Sequence, residues 1–200
     1  MARKGMVIDL KRCIGCNACT IACKAENATP PQVFWARVLE GEVGKYPSAR
    51  RVFLPVLCNH CKNAPCLEVC PTGATHQRED GVILVDYDKC IGCRACMAAC
   101  PYEARYFWEN GRGYFPEGLT PFEEVGYRKF QRKVVQKCTL CAHRVDNGLE
   151  PACVATCPTN CRVFGDLDDP TSPVSRLISE RRGFQLRAEL GTDPSVYYVQ

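Results

Sequence analysis

The chain of 200 residues contains 17 cysteines, 15 glycines and 14 prolines, is 46% hydrophobic and carries a formal net charge of +4. That length holds one large domain or two small ones, and so many cysteines exclude a core built mainly from aliphatic side chains. No segment approaches the ~18 to 20 apolar residues needed to span a bilayer, so the sequence predicts a chain that does not cross a membrane.

From the N-terminus, Gly5 to Leu10 reads as a short strand leading into a first cysteine group, Cys13, Cys16, Cys19 and Cys23. The apolar stretch Met6 to Ile8 is too short for a signal peptide's apolar region, so export would depend on a partner. A second group is Cys58, Cys61, Cys66 and Cys70. The turn dipeptide Asp80-Gly81 and the β-type run Val82 to Val85 then predict a small hairpin. It runs into a third group, Cys90, Cys93, Cys96 and Cys100. Tyr102 to Phe130 holds nine of the 18 aromatic residues, spaced by Gly and Pro, and reads as a structured insertion that covers the metal centres or docks a partner, with docking preferred. The fourth group is Cys138, Cys141, Cys153 and Cys157, with Arg162 to Phe164 as the strand leaving it. Short helices are expected just after each third cysteine. Ser172-Pro173 predicts the start of a helix that runs to about Arg182 and stops at Gly183, and Val196 to Val199 reads as a strand.

Thiols packed this closely pair poorly as disulfides and point to metal or cluster ligation. In C-x2-C-x2-C, seven residues supply three thiolates to a [4Fe-4S] cube, and in two-cluster ferredoxins the fourth cysteine, usually followed by Pro, ligates the neighbouring cluster. Pro71, Pro101 and Pro158 occupy that position, whereas Lys24 follows Cys23. Zinc sites use paired C-x2-C without the third cysteine or the Cys-Pro, so clusters are the better reading. Groups one and three, KRCIGCNACTIAC and DKCIGCRACMAAC, are near copies, and groups two and four share a C-x2-C opening with a wider gap, which implies duplication of a module. Gly15 and Gly92 would let the backbone turn closely, and Ile14 and Ile91 would exclude water from the centres. With sixteen thiolates and four clusters the net charge falls to roughly −4, so the basic excess, including five cations between Arg128 and Lys137, reads as compensation rather than as a nucleic-acid surface.

Several residues remain outside these sets. His60 and His143 are expected to donate a hydrogen bond to sulfur or backbone rather than to ligate. His76 reads as a polar residue on an exposed hairpin strand. Trp35 and Trp108 read as packing residues, Arg50 and Arg51 as a solvated charge pair, and Cys161 as a packed free thiol. The sequence holds no G-x-G-x-x-G after a strand, no P-loop and no cluster group short of a cysteine, so no catalytic residue is assigned.

The order and spacing of the groups, with FLPVLCNHCKNAPCLEVCPTGATHQREDGVILVDYDKCIGCRACMAACPY, KCTLCAHRVDNGLEPACVATCP, RVFGDLDDPTSPVS and GTDPSVYY, resembles the iron-sulfur B subunits of molybdopterin oxidoreductases related to dimethyl sulfoxide, polysulfide, thiosulfate and tetrathionate reductases. The resemblance covers nearly the whole chain. It implies an α+β fold of two ferredoxin-like modules with interleaved cysteine groups, short hairpins and short helices. One module would comprise residues 1–57 with 131–170 and the other 58–101, with the aromatic-rich insertion at 102–130 and a C-terminal helix and tail at 171–200. It also implies four [4Fe-4S] clusters. Cys13, Cys16, Cys19 and Cys157 would hold the first, and Cys138, Cys141, Cys153 and Cys23 the second. Cys58, Cys61, Cys66 and Cys100 would hold the third, and Cys90, Cys93, Cys96 and Cys70 the fourth. The first would face a large molybdopterin-binding catalytic subunit and the fourth a quinone-reactive membrane subunit, which would place His76 near a quinone site. The function so implied is electron transfer without substrate chemistry, peripheral to the cytoplasmic membrane, on the periplasmic side by co-export or else in the cytoplasm. A free polyferredoxin shuttling electrons between soluble enzymes is the alternative. Cys161 departs from the family, where a small apolar residue is usual.

Overall fold

In the computed structural model, which describes residues 2–129 and 133–200, the N-terminal run Lys4–Asp9 forms β1, the middle strand of a three-stranded sheet. Strand alternation sends Met6 and Ile8 into the main core and Val7 into a smaller one, and all three are essentially inaccessible to solvent. The first cysteine loop leads into α1 (Ala18–Asn27). β2 (Ala36–Val43) and β3 (Arg50–Leu57) then form a long antiparallel hairpin in register Ala36↔Leu57 to Val43↔Arg50. Its base is buried, and residues 39–52 are exposed. The sequence reading placed no strand there.

The second group precedes and enters α2 (Pro65–Glu68). β4 (Thr75–Gln77) and β5 (Ile83–Val85) form the expected hairpin, with Gly81 at φ 80° in its turn. The third group enters α3 (Ala95–Ala98) and is followed by β6 (Arg105–Phe107). α4 (Pro121–Gly126) and a 3-10 turn over Tyr127–Lys129 lie in the insertion. β7 (Val135–Lys137) pairs with β6, so the insertion leaves and rejoins one two-stranded ladder. α5 (Ala142–Val145) and α6 (Ala152–Ala155) carry the fourth group to β8 (Arg162–Asp166), which pairs antiparallel with β1. α7 (Pro173–Glu180) packs on that sheet, and β9 (Val196–Val199) completes it parallel to β1. Among the described residues no helix is long and apolar enough to cross a membrane.

Two expectations are corrected. The short helices carry the third cysteine in their first turn rather than following it; in groups one and three the residue before the helix takes the left-handed conformation (Asn17 at φ 59°, Arg94 at φ 63°) and turns the chain ahead of Cys19 and Cys96. α7 ends at Glu180, two residues early. Arg182 (φ 50°) takes the left-handed position, and the N–H of Gly183 closes back on the Ile178 carbonyl at 2.8 Å.

The insertion is organised by one carboxylate. Glu123, 2% exposed, accepts from the N–H of Tyr114 (2.7 Å), the N–H and hydroxyl of Thr120 (2.7 and 2.8 Å) and the Tyr127 hydroxyl (3.1 Å). Those donors satisfy the buried charge and close a capping box on α4. Trp108 meets Tyr127 edge to face at 4.9 Å inside the core, whereas Tyr114, Phe115 and Phe122 remain exposed. Phe130 and the boundary expected between 130 and 131 lie outside the described residues.

Candidate metal centres

The sixteen grouped thiols line four small cavities of similar size. Cys13, Cys16, Cys19 and Cys157 line one, beside Val38 and Pro55 of the long hairpin. Cys23, Cys138, Cys141 and Cys153 line the next, under Trp35 and Leu57. Cys58, Cys61, Cys66 and Cys100 line a third. Cys70, Cys90, Cys93 and Cys96 line the fourth. In every case three thiols come from one group and one from a different group. Among the described residues no three or more His, Cys, Asp or Glu side chains are arranged to hold a single metal ion.

The cavities differ in cover. All four thiols of the second set are buried, whereas Cys16 and Cys93, in the first and fourth, are exposed. Ile14 and Ile91 are 59% and 68% exposed, which corrects the expectation that they exclude water. Each lies at the tip of a Cys-Ile-Gly-Cys loop whose glycine has positive φ, at +71° and +69°. A Cβ on Gly15 would run into the Phe53 ring and one on Gly92 into the Lys133 carbonyl. The glycines therefore admit overlying segments and leave the isoleucines facing outward.

Backbone and side-chain donors reach the sulfurs. The N–H groups of Leu140, Thr75 and Cys161 approach Cys138, Cys70 and Cys157 at 3.3, 3.4 and 3.3 Å, and the Asn27 amide lies 3.7 Å from Cys23 and 3.8 Å from Cys141. As free thiols the buried cysteines resist ionisation. Burial, with neighbouring thiolates, pushes Cys61 up to about 12, and burial pushes Cys153 up to about 11 against the pull of Arg162. Burial opposes ionisation of Cys157 too, yet the Cys161 N–H and the Thr159 hydroxyl bring it down to about 7. Iron coordination would supply the positive charge that such a set of thiolates needs, which couples metal binding to folding.

Three cations are buried among the thiols: Lys137, which ends the basic run read as charge compensation, and Arg105 and Arg162, which the sequence reading gave no role toward the centres. Arg162 (2% exposed) directs Nη2 to Cys19 at 3.4 Å and Nη1 to Cys153 at 4.0 Å. Arg105 (4%) donates to Cys66 at 3.0 Å and to Thr75 Oγ1 at 3.1 Å. Lys137 (1%) donates to the carbonyls of Cys138, at 2.6 Å, and Ile83. A signal did exist for two of them, since Cys100-Pro101 and Cys157-Pro158 each carry an arginine five residues after the cysteine.

The histidines separate. His60 is buried and meets backbone as expected, but as acceptor rather than donor: it takes the Ile83 N–H on Nδ1 at 3.0 Å, and burial together with Lys137 and Arg105 holds it neutral. His143 Nε2 meets the Glu26 carboxylate at 2.7 Å on the surface, which corrects the expectation of a bond to sulfur or backbone. His76 lies on β4 with Nδ1 3.2 Å from the Ala74 carbonyl, exposed as expected. Trp35 and Trp108 are core residues. Arg50 and Arg51, with Lys11, Cys13 and Ile14, line an open groove beside the first cavity. Cys161 is 4% exposed and its sulfur lies 3.4 Å from that of Cys157, at the wall of the first cavity.

The 4Fe-4S dicluster domain model matches residues 49–114 and 117–167, and a second dicluster model matches 12–74. Over 212 residues the chain is 48% identical to a Halobacterium salinarum protein assigned as the iron-sulfur B subunit of a dimethyl sulfoxide reductase, covering all of this chain and 79% of that one. It is 42% identical to the iron-sulfur subunit of the arsenate respiratory reductase of Shewanella sp. (99% and 96% covered). It is 44% identical to the B subunit of the selenate reductase of Mesobacillus selenatarsenatis (97% and 70% covered).

Proposed function

The chain belongs to the 4Fe-4S dicluster family, among the iron-sulfur B subunits of dimethyl sulfoxide reductase-type enzymes, and from that premise we propose that it conducts electrons through four [4Fe-4S] clusters inside a larger oxidoreductase. The observation that carries this reading is the set of four similar cavities, each walled by four thiols. Bound clusters would supply one-electron carriers at four successive points. The ligand sets are those that line the cavities. Cys23 and Cys157 cross between the ends of one module and Cys70 and Cys100 between the ends of the other, which interleaves the groups.

The protein's own residues hold, order and insulate these centres. Trp35, Leu57 and the main core keep water from the second cavity, while Cys16 and Cys93 bring the first and fourth to the surface. Electrons would enter and leave at those two ends. Exposed Ile14 and Ile91, the outer half of the long hairpin and exposed Phe115 and Phe122 favour a subunit with covered ends over a free carrier. In this proposal the first end, with its basic groove at Lys11, Arg50 and Arg51, meets a molybdopterin-binding catalytic chain. The fourth end meets a quinone-reactive membrane subunit or another redox partner.

Anaerobically prepared protein should contain about sixteen iron and sixteen acid-labile sulfide atoms per chain, the content of four cubanes. Zinc at a few equivalents with little sulfide would end the reading.

A further inference from the structure

The buried cations are distributed with one at each boundary between cavities. Arg162 reaches Cys19 of the first cavity and Cys153 of the second. Lys137 ties the carbonyl of Cys138, in the second, to that of Ile83, which lines the third. Arg105 binds Cys66 of the third and Thr75, which lines the fourth. Among the described residues these three are the only buried Lys or Arg side chains. Burial of a cation is costly unless it is paired, and a chain selected only for folding would fill such positions with apolar groups.

We propose that Arg162, Lys137 and Arg105 are positioning residues of the electron path, each raising the reduction potential of the two centres it separates. The inference rests on the four-cluster reading. In each transfer one electron leaves one centre and enters the next, with no bond made or broken and no proton required. The arriving electron adds negative charge to a site already walled by thiolates, and the cation beside it is buried, where salt screens it little. A fixed cation there opposes that charge through a low dielectric. Because it lies between two centres it acts on both, so it eases reduction without opening a large gap between neighbours. The arginines deliver their charge to sulfur directly, whereas Lys137 acts through two carbonyls, which makes the central junction the weaker of the couplings.

The test is potentiometric titration of the full anaerobic chain, followed by low-temperature paramagnetic resonance and by iron and sulfide content. Lys137→Gln keeps donors for both carbonyls and removes the charge. It is expected to retain iron and to make reduction of the second and third centres about tenfold less favourable, ~59 mV for a one-electron couple. Arg162→Gln should act on the first and second centres and Arg105→Gln on the third and fourth, while Arg162→Lys and Arg105→Lys hold the parent potentials. The outer signals are assigned with Cys16→Ser and Cys93→Ser. Full iron with parent potentials in the Gln variants, a shift spread evenly over all centres, or lysine variants that shift or lose iron as glutamine variants do would each overturn the proposal and leave a structural role. A parent chain without iron and sulfide would overturn the four-cluster reading instead.

Discussion

The cavity of Cys23, Cys138, Cys141 and Cys153 and the cavity of Cys70, Cys90, Cys93 and Cys96 offer the same four-thiol chemistry in opposite settings. In the first every thiol is buried and the walls belong to the main core. In the second Cys93 is exposed, Cys70 and Cys90 are half-buried, and Ile91 faces solvent. The difference follows motif type. The tight Cys-Ile-Gly-Cys loops of groups one and three bend around a positive-φ glycine and present their tips outward. Groups two and four place the third cysteine on a separate short helix, α2 or α6, after a longer excursion that folds over the site. The tight-loop motif thus puts one exposed thiol in each of the first and fourth cavities, and the wider motif leaves none in the second and third.

The largest expected effect tests that contrast directly. Cys138→Ser removes a buried thiol that the proposal makes a ligand and that is also part of the main core, so both metal binding and packing should be lost. It should cost more than ~4 kcal/mol of stability and about a quarter of the iron. Cys93→Ser, at an exposed tip, should perturb one centre and leave stability within ~2 kcal/mol of the parent. Equal thermal destabilisation of the two variants would remove the distinction between inner and outer centres. Next in size is Trp35→Ala. This side chain is 4% exposed and roofs the buried cavity, so its loss should cost about 3–5 kcal/mol. Iron released to a chelator should then come first from the centre that is otherwise best protected. Unchanged release kinetics would show that Trp35 only packs.

The contrast was half legible in the sequence. The thiol groups, the strands at β1, β8 and β9 and the Asp80-Gly81 hairpin were all readable, because cysteine spacing and turn chemistry are local signals. The β2–β3 hairpin was missed, although Arg37 to Val43 alternates in part and Tyr46-Pro47-Ser48 supplies a turn, because the interrupting Gly41 and the exposed charges masked its period. The outward-facing isoleucines were misread, since a residue between two ligands looks internal until the direction of the loop is known. The burial of the cations was not read for a different reason: a lysine or arginine is mostly a surface residue, and only the surrounding thiols reverse that expectation at Arg105, Lys137 and Arg162.

A smaller effect concerns how the inner cavity is held shut. Glu26 of α1 meets His143 Nε2 at 2.7 Å and Arg144 at 3.0 Å, tying group one's helix to α5. The hydrogen bond from His143 is the main reason its carboxyl is held below the ordinary 4.5, with Arg144 adding to it. A depressed carboxylate stabilises the fold above its unfolded value and ceases to do so as pH falls through the folded one. Glu26→Gln should therefore cost about 0.5–1 kcal/mol at neutral pH and nothing in acid below both values. Unfolding midpoints of parent and variant that stay parallel across that range would show that the pair does not contribute.

The smallest expected effect is at Cys161, which sits against Cys157 and so looks like a spare ligand. The chain's own repeats argue otherwise. In the three Cys-Pro segments the residue four positions after the cysteine is Ala74, Ala104 or Cys161. Both alanines are buried, at 1% and 7% exposure, beside cavities that already have four thiols. The position therefore asks for a small buried group, and the cavity next to Cys161 is also complete without it. Its backbone serves the site more than its sulfur does, since the N–H donates to Cys157 and the carbonyl accepts from Asp9 at 2.7 Å, and both survive truncation. Cys161→Ala should then keep all its iron and lose less than ~1 kcal/mol, the scale of deleting one methylene-sized group from a core. The measurement is iron content with low-temperature paramagnetic resonance of the reduced variant. Loss of one centre, or appearance of a three-iron signal, would make Cys161 a ligand and displace one of the other four thiols around that cavity.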